Sequence, residues 1–255
     1  MLNNFFEYFK TKNELLFSYS ILCLAAGCIC LILSKYSSLQ VTGLNAWTKP
    51  FKFFISFGVF AFTMALYVVY LDNQRQVTNY CWSFIIFSSI ELLLITVQAS
   101  RGKKSHYNID TPFDRVIFAL MGLSLIVVLI HTIFIITLFF TQSQFDASDE
   151  MILAFKLSLI MMVLFMLQGF VMIKLFKHTV GAEDNTPGIP VLNWSKNYGD
   201  LRVAHFFGMH ALQIIPLLTF ILANTKRDVY LISLLYFVFV TFTLFQAFQG
   251  KPFIR

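Results

Sequence analysis

Among 19 basic and 13 acidic residues, Glu91 is the one charge set deep inside an apolar stretch. A carboxylate surrounded by hydrocarbon must take up a proton or find a cation or metal. It is therefore a functional candidate by default. The cations expected to meet it are Arg101 or His210. At 1.5 Å per residue, Glu91 lies about 10 Å from the end of its own helix, and His210 about 10 Å from the start of its helix. Gln168 has a similar depth and Gln213 is slightly deeper. Alternating helix directions refer all four depths to one face. The same face collects the run from Gln98 through Arg101 and His106 to Asn108, and the run from Gly199 through Asp200 and Arg202 to His205.

These residue types fit three kinds of chemistry. Glu91, His106 and His210 are candidate acid and base groups. Gln98, Arg101, Asn108, Asp200, Arg202 and Gln213 are candidates to hold an anionic substrate, with the guanidinium forks suited to phosphate or carboxylate. His205, His210 and Glu91 are candidate metal donors, so a divalent metal is the expected cofactor if there is one. Haem is the weaker reading. His131 lies about 24 Å from this face, roughly 14 Å away from the depth of His210. His205 and His210 share one helix and cannot clamp a haem from opposite sides.

Plainer roles compete with each of these. Lys49, Lys52, Lys103 and Lys104 suit anchoring to anionic headgroups. His205 suits an interfacial position, and Gln168 and Gln213 suit hydrogen bonds between helices. His131 reads as a core histidine bonded to a neighbouring helix. Cys23, Cys30 and Cys81 lack metal or redox spacing and read as core residues.

The elements that must position these residues follow from composition. Hydrophobic residues make up 58% of the 255-residue chain, 31 residues are phenylalanine and only 13% are charged. A soluble domain carries about 25% charged residues. The surrounding solvent is therefore lipid, and a nucleic-acid-binding domain, a disordered chain and a secreted disulfide scaffold are excluded. Membrane helices need roughly 20 apolar residues. Seven stretches qualify: 15–34, 51–71, 78–98, 116–141, 151–175, 203–223 and 229–248. The expected fold is all-α, one polytopic transmembrane bundle over 1–255. Pro216 deprives the Leu212 carbonyl of its helical donor and predicts a bend one turn beyond His210.

The loops set the orientation. The N-terminus and even-numbered loops hold Lys10, Lys12, Arg75, Lys156, Lys226 and Arg227, and all other cations fall on the opposite side. The positive-inside rule then places the N-terminus outside and the C-terminus in the cytoplasm of a cell inner membrane. The run Leu24-Ala25-Ala26-Gly27-Cys28 after Lys10 and Lys12 resembles a lipoprotein cleavage box. However, Ala25 replaces the large aliphatic residue expected there, and the apolar run continues to Ser34, so this segment reads as a retained first helix. The long loop 176–202, with Trp194, Pro187 and Pro190, reads as ordered at the interface.

The runs 98–108 and 199–213 resemble those of a group of uncharacterised bacterial multi-pass membrane proteins. The similarity extends over most of the chain, including the stretch 47–53. It implies class and bacterial source and brings no activity with it. Microbial rhodopsins fit poorly because the last span, 229–248, has no retinal lysine. Ceramidase-like hydrolases fit poorly because their histidine pair near the final span is missing.

Three functions remain open. The first is a membrane enzyme acting on a lipid-like or anionic substrate in a polar cavity near the cytoplasmic face. The second is a transporter or channel. The third is a sensory or binding protein, or a haem-bearing redox subunit. The expected partners are the bilayer and a small amphiphilic or anionic ligand, with no nucleic acid.

Overall fold

A computed structural model describes residues 13–184 and 188–254. Lys10, Lys12 and Pro187, used above for the leader, charge and loop readings, lie outside the described residues. The protein is all-α. Among the described residues eight helices run in order: α1 Glu14–Tyr36, α2 Thr48–Val68, α3 Gln74–Ser100, α4 Pro112–Thr141, α5 Asp149–Leu175, α6 Leu201–Met209, α7 Ala211–Leu222 and α8 Lys226–Phe248. Six of them are long and apolar enough to cross a membrane, and α6 with α7, bent by 51° at their junction, brings the number to seven if the pair is counted as one span. These helices define a multi-pass membrane protein. Large side chains such as Phe220, Phe242 and Phe245 stay more than half exposed, as a lipid-facing surface requires.

The helix ends are written into the sequence. Asn13, Asn73, Thr111, Ser148 and Thr225 cap α1, α3, α4, α5 and α8, each accepting a first-turn backbone N–H. Thr225 and Asp228 complete a reciprocal capping box. Gly102 follows α3 at φ 64°, and the Lys103 amide reaches back to the Gln98 carbonyl at 2.9 Å. That left-handed glycine stops the helix and turns the chain into the loop that carries His106.

The chain forms two compact units, 1–142 and 143–255. In the first, α1 packs on α2, α2 on α3, and α3 on α4. A Cβ on Gly27 would meet Ile55 Cδ1 at 2.8 Å, so glycine lets α1 and α2 approach closely. The Tyr19 hydroxyl bonds Ser88 at 2.8 Å and ties α1 to α3. A small hairpin, β1 Gln40–Val41 with β2 Leu44–Asn45, fills the link between α1 and α2. His131 on α4 reaches Ser83 on α3 at 3.1 Å, the interhelical bond expected of it.

In the second unit α5 packs against α6, α7 and α8, and α7 packs on α8. Its core includes Met161, Phe165, Ile215 and Val240. Where described, the long loop is closed at its ends by a strand pair: β3 Thr179–Val180 pairs antiparallel with β4 Gly199–Asp200. Trp194 is buried, with its ring 5.3 Å from Phe206 and 6.0 Å from Phe253.

The bend in the seventh span is not where the proline rule put it. It falls at His210, whose backbone leaves the helical region at φ −79°, ψ 1°, while Pro216 is accommodated inside α7. The cause lies in tertiary contacts. The Tyr236 hydroxyl of α8 donates to the Phe207 carbonyl at 2.7 Å, supplying a donor from outside the helix. Gly208 sits against Phe165, leaving no room for a Cβ, and this pins α6 onto α5.

Candidate functional site

The first unit brings Glu91 and His106 together. Glu91 lies on α3 with its side chain fully buried, and neither carboxylate oxygen has a hydrogen-bond partner among the described residues. His106 Nε2 stands 3.6 Å from Glu91 Oε1. The other ring nitrogen, Nδ1, is 3.2 Å from Lys49 Nζ and 3.1 Å from Ser105 Oγ. The rings of Phe53, Tyr107 and Phe118 surround the imidazole at centroid distances of 5.7 to 6.3 Å. Burial, and after it the Lys49 charge, holds His106 well below the usual histidine pKa. The imidazole is therefore neutral at ordinary pH.

Gln98 and Arg101 turn to a different carboxylate. Asp114, also fully buried, accepts from Gln98 Nε2 at 2.9 Å, Arg101 at 2.8 Å and Thr111 Oγ1 at 2.7 Å. This network closes the α3–α4 loop, so Arg101 is spent on Asp114; in place of the expected Arg101 or His210, Glu91 has His106 beside it, with Lys49 on the far side of that ring. Asn108 is likewise a loop brace: it donates to the Lys104 carbonyl and accepts from the Asp110 amide. Next to this brace is a cleft of about 220 Å³ lined by Gln40, Thr42, Lys103, Lys104, Tyr107 and Asn108. Two of its walls, Thr42 and Tyr107, hold left-handed backbone at φ 52° and 55°, strain that a non-glycine residue keeps only when its surroundings enforce it.

The second unit gathers the remaining candidates. Asp200 caps α6 through the Arg202 amide and grips the Arg202 guanidinium at 2.9 and 2.6 Å. It also accepts the Ser195 amide at 2.9 Å. His178 Nδ1 lies 3.4 Å from Asp184 and 3.8 Å from Asp200. Burial pushes the Asp200 carboxyl up, but the Arg202 hydrogen bonds and charge, His178 and the Ser195 amide outweigh it and hold the pKa below the usual range. This cluster staples the long loop to the start of α6.

His205 and His210 each direct Nδ1 to a carbonyl, Phe165 at 2.7 Å and Phe206 at 2.8 Å. A carbonyl only accepts, so both rings carry their proton on Nδ1 and leave Nε2 as the lone-pair nitrogen. Gln168 is buried and donates to the Leu201 carbonyl at 3.5 Å, tying α5 to α6. Gln213 lies in the first turn of α7, its amide bonded to the His210 carbonyl at 3.0 Å. Among the described residues, no three His, Cys, Asp or Glu side chains gather as donors for one metal ion. Each of the four cysteines is a free thiol, and Cys23, Cys30 and Cys81 are buried as expected of core residues.

The sequence reading missed Lys49, Ser105, Asp114 and His178. Thr111-x-x-Asp114 has capping spacing that pointed to Asp114. Lys49 and His106 are 57 residues apart, and no local pattern links them. Comparison with protein-family models, with curated proteins and with solved structures finds no match.

Proposed function

We propose that the protein is a membrane-embedded enzyme whose acid–base pair is Glu91 with His106, acting on an anionic, lipid-like substrate at the cytoplasmic face. One observation carries this reading: a fully buried carboxylate whose oxygens are left open while an imidazole nitrogen stands 3.6 Å away. A purely structural carboxylate at such a position would be saturated with donors, because an unsatisfied buried charge is costly. An open one is poised to take a proton from a reacting group. The cleft with Lys103 and Lys104 lies in the loop that carries His106 and suits the anionic end of the substrate, while the apolar helix faces suit its tail. The test is lipid profiling of host cells lacking the protein, complemented with wild type, Glu91→Gln or His106→Ala. The expected result is restoration by wild type alone. Full restoration by both folded variants overturns the reading.

A carrier is the second reading, favoured by the 51° break in the α6–α7 span beside His205, His210 and Gln213. Discontinuous helices line the binding sites of many transporters. Solute flux in proteoliposomes, abolished by Glu91→Gln with no chemical change in the solute, would move the assignment to this class.

A further inference from the structure

We propose that Lys49, His106 and Glu91 form a proton relay running from the loop end of the first unit into α3, with Lys49 selecting the imidazole tautomer that presents a proton to Glu91. An ammonium group only donates. At 3.2 Å from His106 Nδ1, Lys49 therefore makes that nitrogen the acceptor. The single proton of the neutral ring is then on Nε2, the nitrogen facing Glu91 Oε1. The remaining neighbours of the ring are Ser105, whose hydroxyl can also donate to Nδ1, and the aromatic rings of Phe53, Tyr107 and Phe118.

The position of Lys49 argues against a plain anchor. It sits in the first turn of α2, where the helix dipole disfavours a cation. Its ammonium points inward, within 5.7 Å of the Phe53 ring centroid. The transfer balances. The Nε2–H bond breaks and an O–H bond forms on Glu91, while Lys49 gives a proton to Nδ1. The ammonium becomes an amine, the carboxylate becomes an acid, and the imidazole ends neutral as its other tautomer. Two opposite charges in a low-dielectric site are thereby removed together. Solvent at the loop end reloads the amine.

The purpose of the relay rests on the acid–base reading of Glu91, but its geometry is tested separately. Nitrogen NMR on histidine-labelled full-length protein in lipid nanodiscs reads the tautomer without any activity assay. We expect Nε2–H at His106 in the wild type and in Lys49→Arg, and loss of that preference in Lys49→Met. Ser105→Ala should leave it unchanged. Protonation of Glu91, followed by its acid-carbonyl infrared band and assigned with Glu91→Gln, should be accompanied by a switch of His106 to Nδ1–H. The relay is overturned by Nδ1–H in the wild type while Glu91 is ionised, by an unchanged tautomer in Lys49→Met, by a flip in Ser105→Ala, or by Glu91 protonation without the switch. If Lys49→Met fails to fold, the wild-type, Lys49→Arg and Ser105→Ala spectra still decide the question. A correct tautomer in a protein whose Glu91→Gln variant remains fully functional would sink the enzyme reading and leave the relay geometry standing.

Discussion

Glu91 in the first unit and Asp200 in the second are both buried carboxylates, at 0% and 1% exposure, yet they are treated in opposite ways. Asp200 accepts hydrogen bonds from the Ser195 amide and from the Arg202 amide and guanidinium, which leaves little of its acceptor capacity unused. Glu91 accepts none among the described residues and has only an imidazole at 3.6 Å. Satisfying a carboxylate holds a fold together, and leaving one open keeps it reactive. Asp114, within the same unit as Glu91, belongs with Asp200. Among these three carboxylates burial alone therefore does not single out Glu91; burial without donors does.

The largest expected effect is on the saturated side. Asp200→Ala strands the Arg202 guanidinium and the Ser195 amide, and removing one partner of a buried ion pair costs about 3–5 kcal/mol. The thermal midpoint of the detergent-purified protein should fall sharply, with the loop 176–200 the first segment to lose hydrogen-exchange protection. Glu91→Gln should do the reverse. It makes the open buried group permanently neutral while keeping the shape, so stability should hold or rise slightly while function is lost. Equal destabilisation by the two substitutions would break the distinction.

Acidification separates the two sites next. His106 is held neutral, with a folded pKa well below its unfolded value of about 6.5. The unfolded chain binds that proton first, so stability should begin to fall as pH drops below about 6.5. Asp200 has a folded pKa below its unfolded value of about 3.9. Its contribution is complete above that pH and is lost as pH falls towards the folded pKa. The fall in stability below about pH 6.5 should therefore be shallower in His106→Gln, and the fall in the acid range shallower in Asp200→Asn. A fall below about pH 6.5 that is the same in His106→Gln as in the wild type would show that the imidazole is not held neutral by its site.

The helices were legible in the sequence because lipid imposes a length and a composition on every span. Caps such as Asn73 and Ser148 fix where they start. Glu91 was legible for the same reason, as a charge in a stretch that should hold none. Its partners were not. Lys49 looked like every other lysine at a helix end, and only the packing of α2 against α3 brings it to His106. Arg101 was assigned to Glu91 on proximity along the helix, but the Thr111 cap holds Asp114 where Gln98 and Arg101 reach it first. The bend was misplaced because Pro216 is a local signal, whereas the donor to the Phe207 carbonyl comes from Tyr236 on α8.

That last bond gives the smallest and most discriminating test of the principle. The Phe207 carbonyl lies beside the break between α6 and α7, and if that pair crosses the bilayer its released backbone acceptor must be satisfied from within the protein. Tyr236→Phe deletes only the hydroxyl and should cost about 1 kcal/mol, the net worth of one ordinary hydrogen bond. The ring remains, with its packing 6.1 Å from Phe239, so the change reports the polar contact alone. If the Phe207 acceptor is as dependent on its partner as the Asp200 carboxylate is, the α6–α7 angle should also shift, measurable as a change in the distance between spin labels at Tyr198 and Leu222. A loss of about 1 kcal/mol with an unchanged angle would mean that Gly208 against Phe165 sets the bend and Tyr236 only satisfies it. An unchanged stability would mean either that another donor reaches the Phe207 carbonyl once the hydroxyl is gone, or that an open acceptor is tolerated in this unit as Glu91 is in the other.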